Sequence, residues 1–498
     1  ELGGVSGTGT VGLNIDGNYL SLSFPQQVQL ADVSIANGSQ IGVFASDGIS
    51  TGMNVGNQDI LGGINITARS VAVTNGAGLL TTTLGQGNAG SITINARDSV
   101  TLDGVKVAST VSEGAFGLGG NINITTGSLA LNNGTLLATS TSGRGNAGSI
   151  TINARDTISL DGVSSNGSSP SGIFGSVSQG AVGLGGNINI TTGSLALTNG
   201  AQLLTATSGG GNAGDITINA RDTISLDSNS SLFSNVLSNV FGNGGNINIT
   251  TGSLTVGNGA TVETNTSGGG NAGSITINAR DTIFLDGMGM NSDGTPLPSS
   301  ISSGDLRPND FTIGQGTASS VSSDVSSNVF GNEGNINIAT GSLKVTNGAQ
   351  LNTNNYGQGS GGDITINARD TVVFDGLVGK FASGALSRVI AGTEGKSGNI
   401  NITTGSLALT HGAQLDTTTL GNASAGNVTI NARDTVTFDD SSALSSVAEG
   451  AVGTGGTIDI TTGALTVTNG AQLSAGTFGE GDAGNVRINA RDRITVDG

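Results

Sequence analysis

The sequence predicts an all-β chain, a right-handed single-stranded parallel β-helix with three faces. Three observations predict it: two phrases that alternate along 498 residues, apolar side chains at a period of two inside both phrases, and Gly or Asn-Gly closing each short apolar run. A period of two is the signature of a strand, and Gly and Asn tolerate the positive φ that tight corners require.

The first phrase, GNINITTGSLALTNGAQL in one full copy, has its first Ile at Ile64, Ile122, Ile188, Ile247, Ile336, Ile400 and Ile458. The second, GSITINARDTISLDG, starts its apolar pair at Ile92, Ile150, Ile216, Ile275, Ile364, Val428 and Val486. From first to second the step is always 28 residues, as in 92 − 64 and 486 − 458. From second to first the steps are 30, 38, 31, 61, 36 and 30, so variation in length is confined to one half of the repeat. The two halves are a constant and a variable coil, and an ordinary coil takes roughly 28–30 residues.

Within a coil, Ile122 and Ile124 flank Asn123, and Leu129 and Leu131 flank Ala130. Three strands suit one constant coil: INITT, SLAL and AQLLTAT, followed by an SGGGNAG bend. A single coil cannot bury its apolar face, so each strand is expected to pair with its equivalent one coil away. At ~4.8 Å per coil, about sixteen coils would form a rod roughly 75–80 Å long.

Eleven residues after each starting Ile or Val stands a corner column: Asn75, Asp103, Asn133, Asp161, Asn199, Asp227, Asn258, Asp286, Asn347, Asp375, His411, Asp439, Asn469 and Asp497. Gly follows except at Ser228 and Asp440, which predicts a left-handed turn and keeps like charges two coils apart. The inward pair is Leu129 and Leu131 in a constant coil but Val100 and Leu102 in a variable one. Counted from the starting Ile this is a shift of one residue, so one corner must differ between the coil types.

Residues 64–498 form the regular part. Residues 1–63 are expected to be irregular N-terminal coils, with VSIANGSQI at Val33 to Ile41 echoing the first phrase. The 61-residue step, centred on 287–319, is either a loop insertion or an extra coil. It holds Met288, Met290, Pro296, Pro298 and Pro308; with Pro170, four of the five prolines are expected to avoid strands. Loops leaving one edge of a solenoid usually form its interaction face, which places any binding site along the variable coils.

Composition narrows the functional classes. With 87 Gly, 13 Phe, two Tyr and neither Trp nor Cys, the core must be aliphatic and a disulfide scaffold is excluded. Lys plus Arg number 17 against 35 Asp plus Glu, and a formal charge of −18 disfavours nucleic acid and anionic lipid as partners. No apolar run approaches the ~18 residues of a membrane helix, so membrane insertion is not expected. The chain opens at Glu1 without a signal segment and stops at Gly498 in mid-coil, which reads as a mature or excised piece whose uncapped edge could accept another coil.

The two phrases, with the GNAG bend and the ARD corner, resemble the repeat body of cyanobacterial two-partner-secretion exoproteins of the filamentous-haemagglutinin type. The resemblance covers about residues 26 to 498, and no Asn-Pro dipeptide of the family's secretion domain is present. It implies an outer-membrane secretion partner, a secreted or cell-surface location, and an adhesive or surface-fibre role. Cell-surface or matrix polysaccharide, or further copies of the chain end to end, are the partners expected; an end-to-end filament subunit is the alternative.

An enzyme on such a scaffold needs a cluster of carboxylates and bases that breaks the repeat, and none is evident, so no catalysis is expected. The only His, His411, takes a turn position otherwise held by Asn or Asp. An Arg-Asp column recurs as Arg97, Asp98, Arg155, Asp156, Arg221, Asp222, Arg280, Asp281, Arg369, Asp370, Arg433, Asp434, Arg491 and Asp492. Its regularity favours a structural corner, Arg bonding carbonyls or a carboxylate and Asp capping the bend; a ladder for anionic polysaccharide is weakened because each Arg brings its own acid. Thr81 and Thr83, with the equivalent pairs to Thr417 and Thr419, share the parity of constantly apolar positions such as Leu79, which argues for burial and against an ice-binding face. No cofactor is expected. Calcium is the candidate weighed, because Ser149, Asp215, Ser274 and Asp363 share a position in glycine-rich phrases, but the carboxylate is missing from half of these.

Overall fold

The computed structural model describes residues 29–45, 62–164, 167, 169–237, 240–290, 296–305 and 331–498, with strand segments before residue 29 and between 54 and 59. Among these residues there is no helix, and strands stack in parallel, coil upon coil, as a parallel β-helix. Two compact units are distinguished, one ending at Arg221 and the other beginning at Asp222.

In the first unit, the long strands Ile64–Thr74, Ile92–Asp103, Ile122–Asn132, Ile150–Asp161 and Ile188–Thr198 pair in succession, Ile opposite Ile. Short strands Gln40–Ala45, Gly78–Thr83, Lys106–Val111, Leu136–Thr141, Gly172–Val177 and Gln202–Leu204 build a second sheet. Single parallel bridges from Gln86 through Phe116, Arg144 and Val182 to Gly210 mark a third face. Val33–Ile35 pairs with Val71–Val73 as a stacked coil would, whereas Gly12–Asp16 and Tyr19–Ser23 pair antiparallel as a hairpin.

The second unit repeats the plan with long strands from Ile247–Gly257 to Asn485–Asp497. Its short strands run from Ser231–Phe233 to Gln472–Ser474.

INITT and SLAL, expected as separate strands, run as one strand of 11 residues in Ile122–Asn132. The corner between them survives as a register shift. Thr126 pairs with Ala154, and the next pair is Ser128 with Thr157, so Arg155 and Asp156 together oppose Gly127. This two-against-one arrangement is a bulge, and it supplies the one-residue difference between the coil types.

The 61-residue step is one coil with an insertion. Ile275–Asp286 pairs directly with Ile336–Thr346, and Ser300–Asp305 lies between Thr261–Thr266 and Gln350–Asn352. Met288–Met290 and Pro296–Pro298 form an antiparallel ribbon, so two prolines expected outside strands stand in one. A two-stranded ribbon is all edge, which is where a residue lacking N–H is tolerated. Pro308 lies outside the described residues.

The core is aliphatic and of period two. Ile122, Ile124, Leu129, Leu131 and Leu137 are fully buried, as are Phe374 and Phe438. Each such side chain contributes at most ~1.5–3 kcal/mol by burial. Coils approach so closely at Gly90, Gly148 and Gly214 that an added Cβ would strike a carbonyl of the preceding coil, which explains the Gly that closes these GNAG bends.

Candidate functional site: the Asp-Gly corner

Variable coils carry Asp at the end of the long strand, or one residue past it at Asp227, and the Gly that follows most of them takes positive φ: 61° at Gly104, 76° at Gly162 and Gly287, and 96° at Gly376. In constant coils the Asn is itself left-handed, with φ of 54° at Asn133 and 75° at Gly134, the pattern of a type I′ turn. Ser228 and Asp440, the two departures from Gly, take the same left-handed conformation at φ of 53° and 44°.

The eleven-residue column is therefore not a straight ladder. Asp103 pairs with Thr74 and with Asn132, because the extra bulge residue carries each Asn one step further round the turn. From there the Asn side chain reaches back to the acid. Asn133 Nδ2 donates to Asp103 Oδ1 at 2.5 Å, Asn199 to Asp161 at 2.7 Å, Asn258 to Asp227 at 2.7 Å and Asn347 to Asp286 at 2.8 Å. Amide and carboxylate alternate because one donates and the other accepts.

His411 takes over the Asn role, with φ of 51° and Nδ1 2.6 Å from Asp375 Oδ1. The bond to Asp375 raises the His411 pKa, with attraction from Asp439 and Asp440 adding to it. The same bond, with that from Thr410, holds the Asp375 carboxyl below its ordinary range.

Three insertions leave the variable coils at this corner: residues 163–170, 288–298 and 377–382. Each is closed by the same staple. Ser171 N–H donates to the Gly162 carbonyl at 2.9 Å, Ser299 to Gly287 at 3.2 Å and Ser383 to Gly376 at 2.9 Å. The three hydroxyls donate to the carbonyls of Asp161, Asp286 and Asp375 at 2.7–2.9 Å. Each hydroxyl then accepts the N–H of Gly134, Gly259 or Gly348 from the turn of the preceding coil at 2.9 Å. Insertion ends are thus held together and tied to a neighbour, so the strands on either side keep their register. Val163, Leu377 and Val378 on the insertions are exposed apolar side chains. The sequence signal for this closure was a Ser standing where each interrupted coil resumes, and spacing alone did not single it out.

The Arg-Asp column is an exposed series of neighbour ion pairs. Arg97 meets Asp98 at 2.9 Å, Arg155 meets Asp156 at 2.9 Å, and Arg280 meets Asp281 at 2.8 Å. Asp98 is pulled below its usual range by its bond to Arg97. The guanidinium also lies over the Gly that faces the bulge: an added Cβ on Gly127 would lie 2.7 Å from Arg155 Nη2, and one on Gly193 3.0 Å from Arg221 Nη2. Arg therefore bonds a carboxylate, as one of the two expected modes, and the carboxylate receives Arg.

The paired threonines face inward, as parity predicts. Thr205 Oγ1 donates to the Gly214 carbonyl at 2.6 Å and Thr417 to Gly426 at 2.7 Å, tying the second sheet to the glycine bend. Two asparagine ladders went unread in the sequence, although Asn recurs in both GNAG and GNINI. Asn121 Oδ1 accepts the Ser149 N–H and Asn187 that of Asp215, while Asn146 accepts that of Leu184. Of the residues weighed for calcium, Asp363 accepts the Asn399 N–H and amide at 2.7 and 3.0 Å. Among the described residues no group of three or more His, Asp or Glu side chains converges as metal ligands would.

Comparison of the chain with protein-family models, with curated proteins and with solved structures returns no match.

Proposed function

We propose that the chain is a β-helical scaffold, exported to the cell surface or beyond, that serves adhesion, aggregation or surface-fibre formation through insertions at its Asp-Gly corner. One observation carries this reading: residues 163–170, 288–298 and 377–382 leave the fold at the same corner, each closed by the same Gly carbonyl and Ser staple. A fold that tolerates loops of different length at one repeated place, with register kept on both sides, is suited to vary what it presents while the scaffold stays constant. The repeat phrases support export, through their resemblance to exoproteins of the filamentous-haemagglutinin type.

The test is a chain in which all three insertions are excised so that Gly162, Gly287 and Gly376 run directly into Ser171, Ser299 and Ser383. The parent is expected to bind intact cells, and the excised chain to keep its β circular dichroism while losing that binding. Equal binding by the folded, excised chain would sink the proposal.

A further inference from the structure

The third face of the first unit carries a second feature, separate from the insertions. Gln86, Phe116, Arg144, Val182 and Gly210 follow one another through parallel bridges, one per coil. Two residues on from Phe116 and Val182 stand Leu118 and Leu184, so that two variable coils each offer an apolar pair. These four side chains are between 48% and 56% exposed, where equivalents on the other faces point into the core. Between the two pairs lies Arg144, its guanidinium 5.6 Å from the Phe116 ring centroid. Gly117, Gly145 and Gly183 separate the positions, and a Cβ on any of them would collide with a neighbouring coil. No side chain can therefore rise between the two positions of any one coil, and Arg144 and Asn146 are the side chains that the intervening coil places between the two apolar pairs.

We infer that this strip binds an uncharged β-1,4-linked polysaccharide lengthwise, across the coils. Bridged coils stand ~4.8 Å apart, so like rungs recur about every 9.6 Å. A β-1,4-linked chain of pyranose rings turns each ring over relative to the last, so like ring faces recur at every second ring as like rungs recur at every second coil. Apolar ring faces then meet Phe116 with Leu118, and Val182 with Leu184, while Arg144 donates to hydroxyls of the intervening ring. Aromatic and aliphatic surface beside a guanidinium, with no acid among these five residues, fits a neutral polyol. A polyanion is disfavoured by the net charge of −18.

A second copy of the chain fits less well. A two-fold contact that matched the Phe116 rung to the Val182 rung would be centred on Arg144 and would set that guanidinium against its own copy.

Depletion of the purified full chain from solution by microcrystalline cellulose, with granular amylose as the α-linked control, tests the inference. The parent is expected to bind cellulose at least tenfold better than amylose, and F116S/V182S to lose at least tenfold in affinity. R144Q is expected to lose severalfold. These positions are exposed, and unchanged circular dichroism and thermal midpoint verify the fold. A chain lacking residues 163–170 is expected to retain cellulose binding, which separates this strip from the insertion-based reading. No binding of the parent, equal binding by the folded double variant, or equal retention on both polymers would each overturn the assignment, as would self-association abolished by F116S/V182S in sedimentation.

Discussion

Asn199 donates its side-chain amide to Asp161 Oδ1 at 2.7 Å, and the hydroxyl of Thr198 beside it donates to the same oxygen at 2.5 Å. Asn199→Asp removes the amide donor without changing shape and sets two carboxylates together. The variant should lose about 1 kcal/mol, and the deficit should shrink at high ionic strength, where exposed like charges are screened. Urea midpoints at low and high salt decide the matter; an equal deficit at both would remove charge as the cause.

His411 and Asp375 make a pH-dependent pair. The raised His pKa contributes stability that is complete below the ordinary 6.5 and is lost as pH rises through the higher folded value. The lowered Asp pKa contributes above its ordinary 3.8 and is lost as pH falls through the lower folded value. Both contributions are present together between about pH 4 and 6.5. As the chain has one His, a single NMR titration should report a pKa above 6.5, and Asp375→Asn should bring it down. An unchanged titration in that variant would contradict the assigned bond.

Gly127→Ala should cost roughly 1–3 kcal/mol, because its Cβ would meet the Asp98 carbonyl as well as the Arg155 side chain. Arg155→Ala alone should cost under about 1 kcal/mol, as exposed ion pairs contribute little. Adding R155A to G127A should therefore fail to restore stability, since the backbone carbonyl remains. Full restoration in denaturant titration would show the guanidinium to be the obstacle.

Ile124 lies fully buried between Ile94 and Ile152 of the adjoining coils. Ile124→Val should cost about 0.5–1.5 kcal/mol. Ile124→Asp, a charge without a partner, should cost several times more. Hydrogen exchange is expected to rise first in Ile92–Asp103 and Ile150–Asp161, before the strands of the second unit. Protection lost evenly along the chain would be incompatible with nearest-neighbour stacking.

Removal of residues 377–382 joins Gly376 to Ser383, whose backbone groups already bond at 2.9 Å. The thermal midpoint should move by no more than about the effect of 1 kcal/mol. A collapse of stability would mean that the insertion holds the coil together.

Much of this protein was determined by its sequence alone, because period two and a 28-residue step are local properties that leave few ways to bury Ile and Leu. Parallel stacking, the inward threonines and the one-residue shift between coil types all follow from counting. Counting could not say where that shift is absorbed: only the stacked coils show Arg155 and Asp156 opposing Gly127, which moves each Asn round its turn and onto the preceding Asp. Nor could it choose between a loop and an extra coil after Asp286, since both have the right length; the pairing of Ile275–Asp286 with Ile336–Thr346 decides it. The reason is the same in both cases. Register between coils is set by hydrogen bonds and side-chain reach across tens of residues, and it exists only once the neighbouring coil is in place.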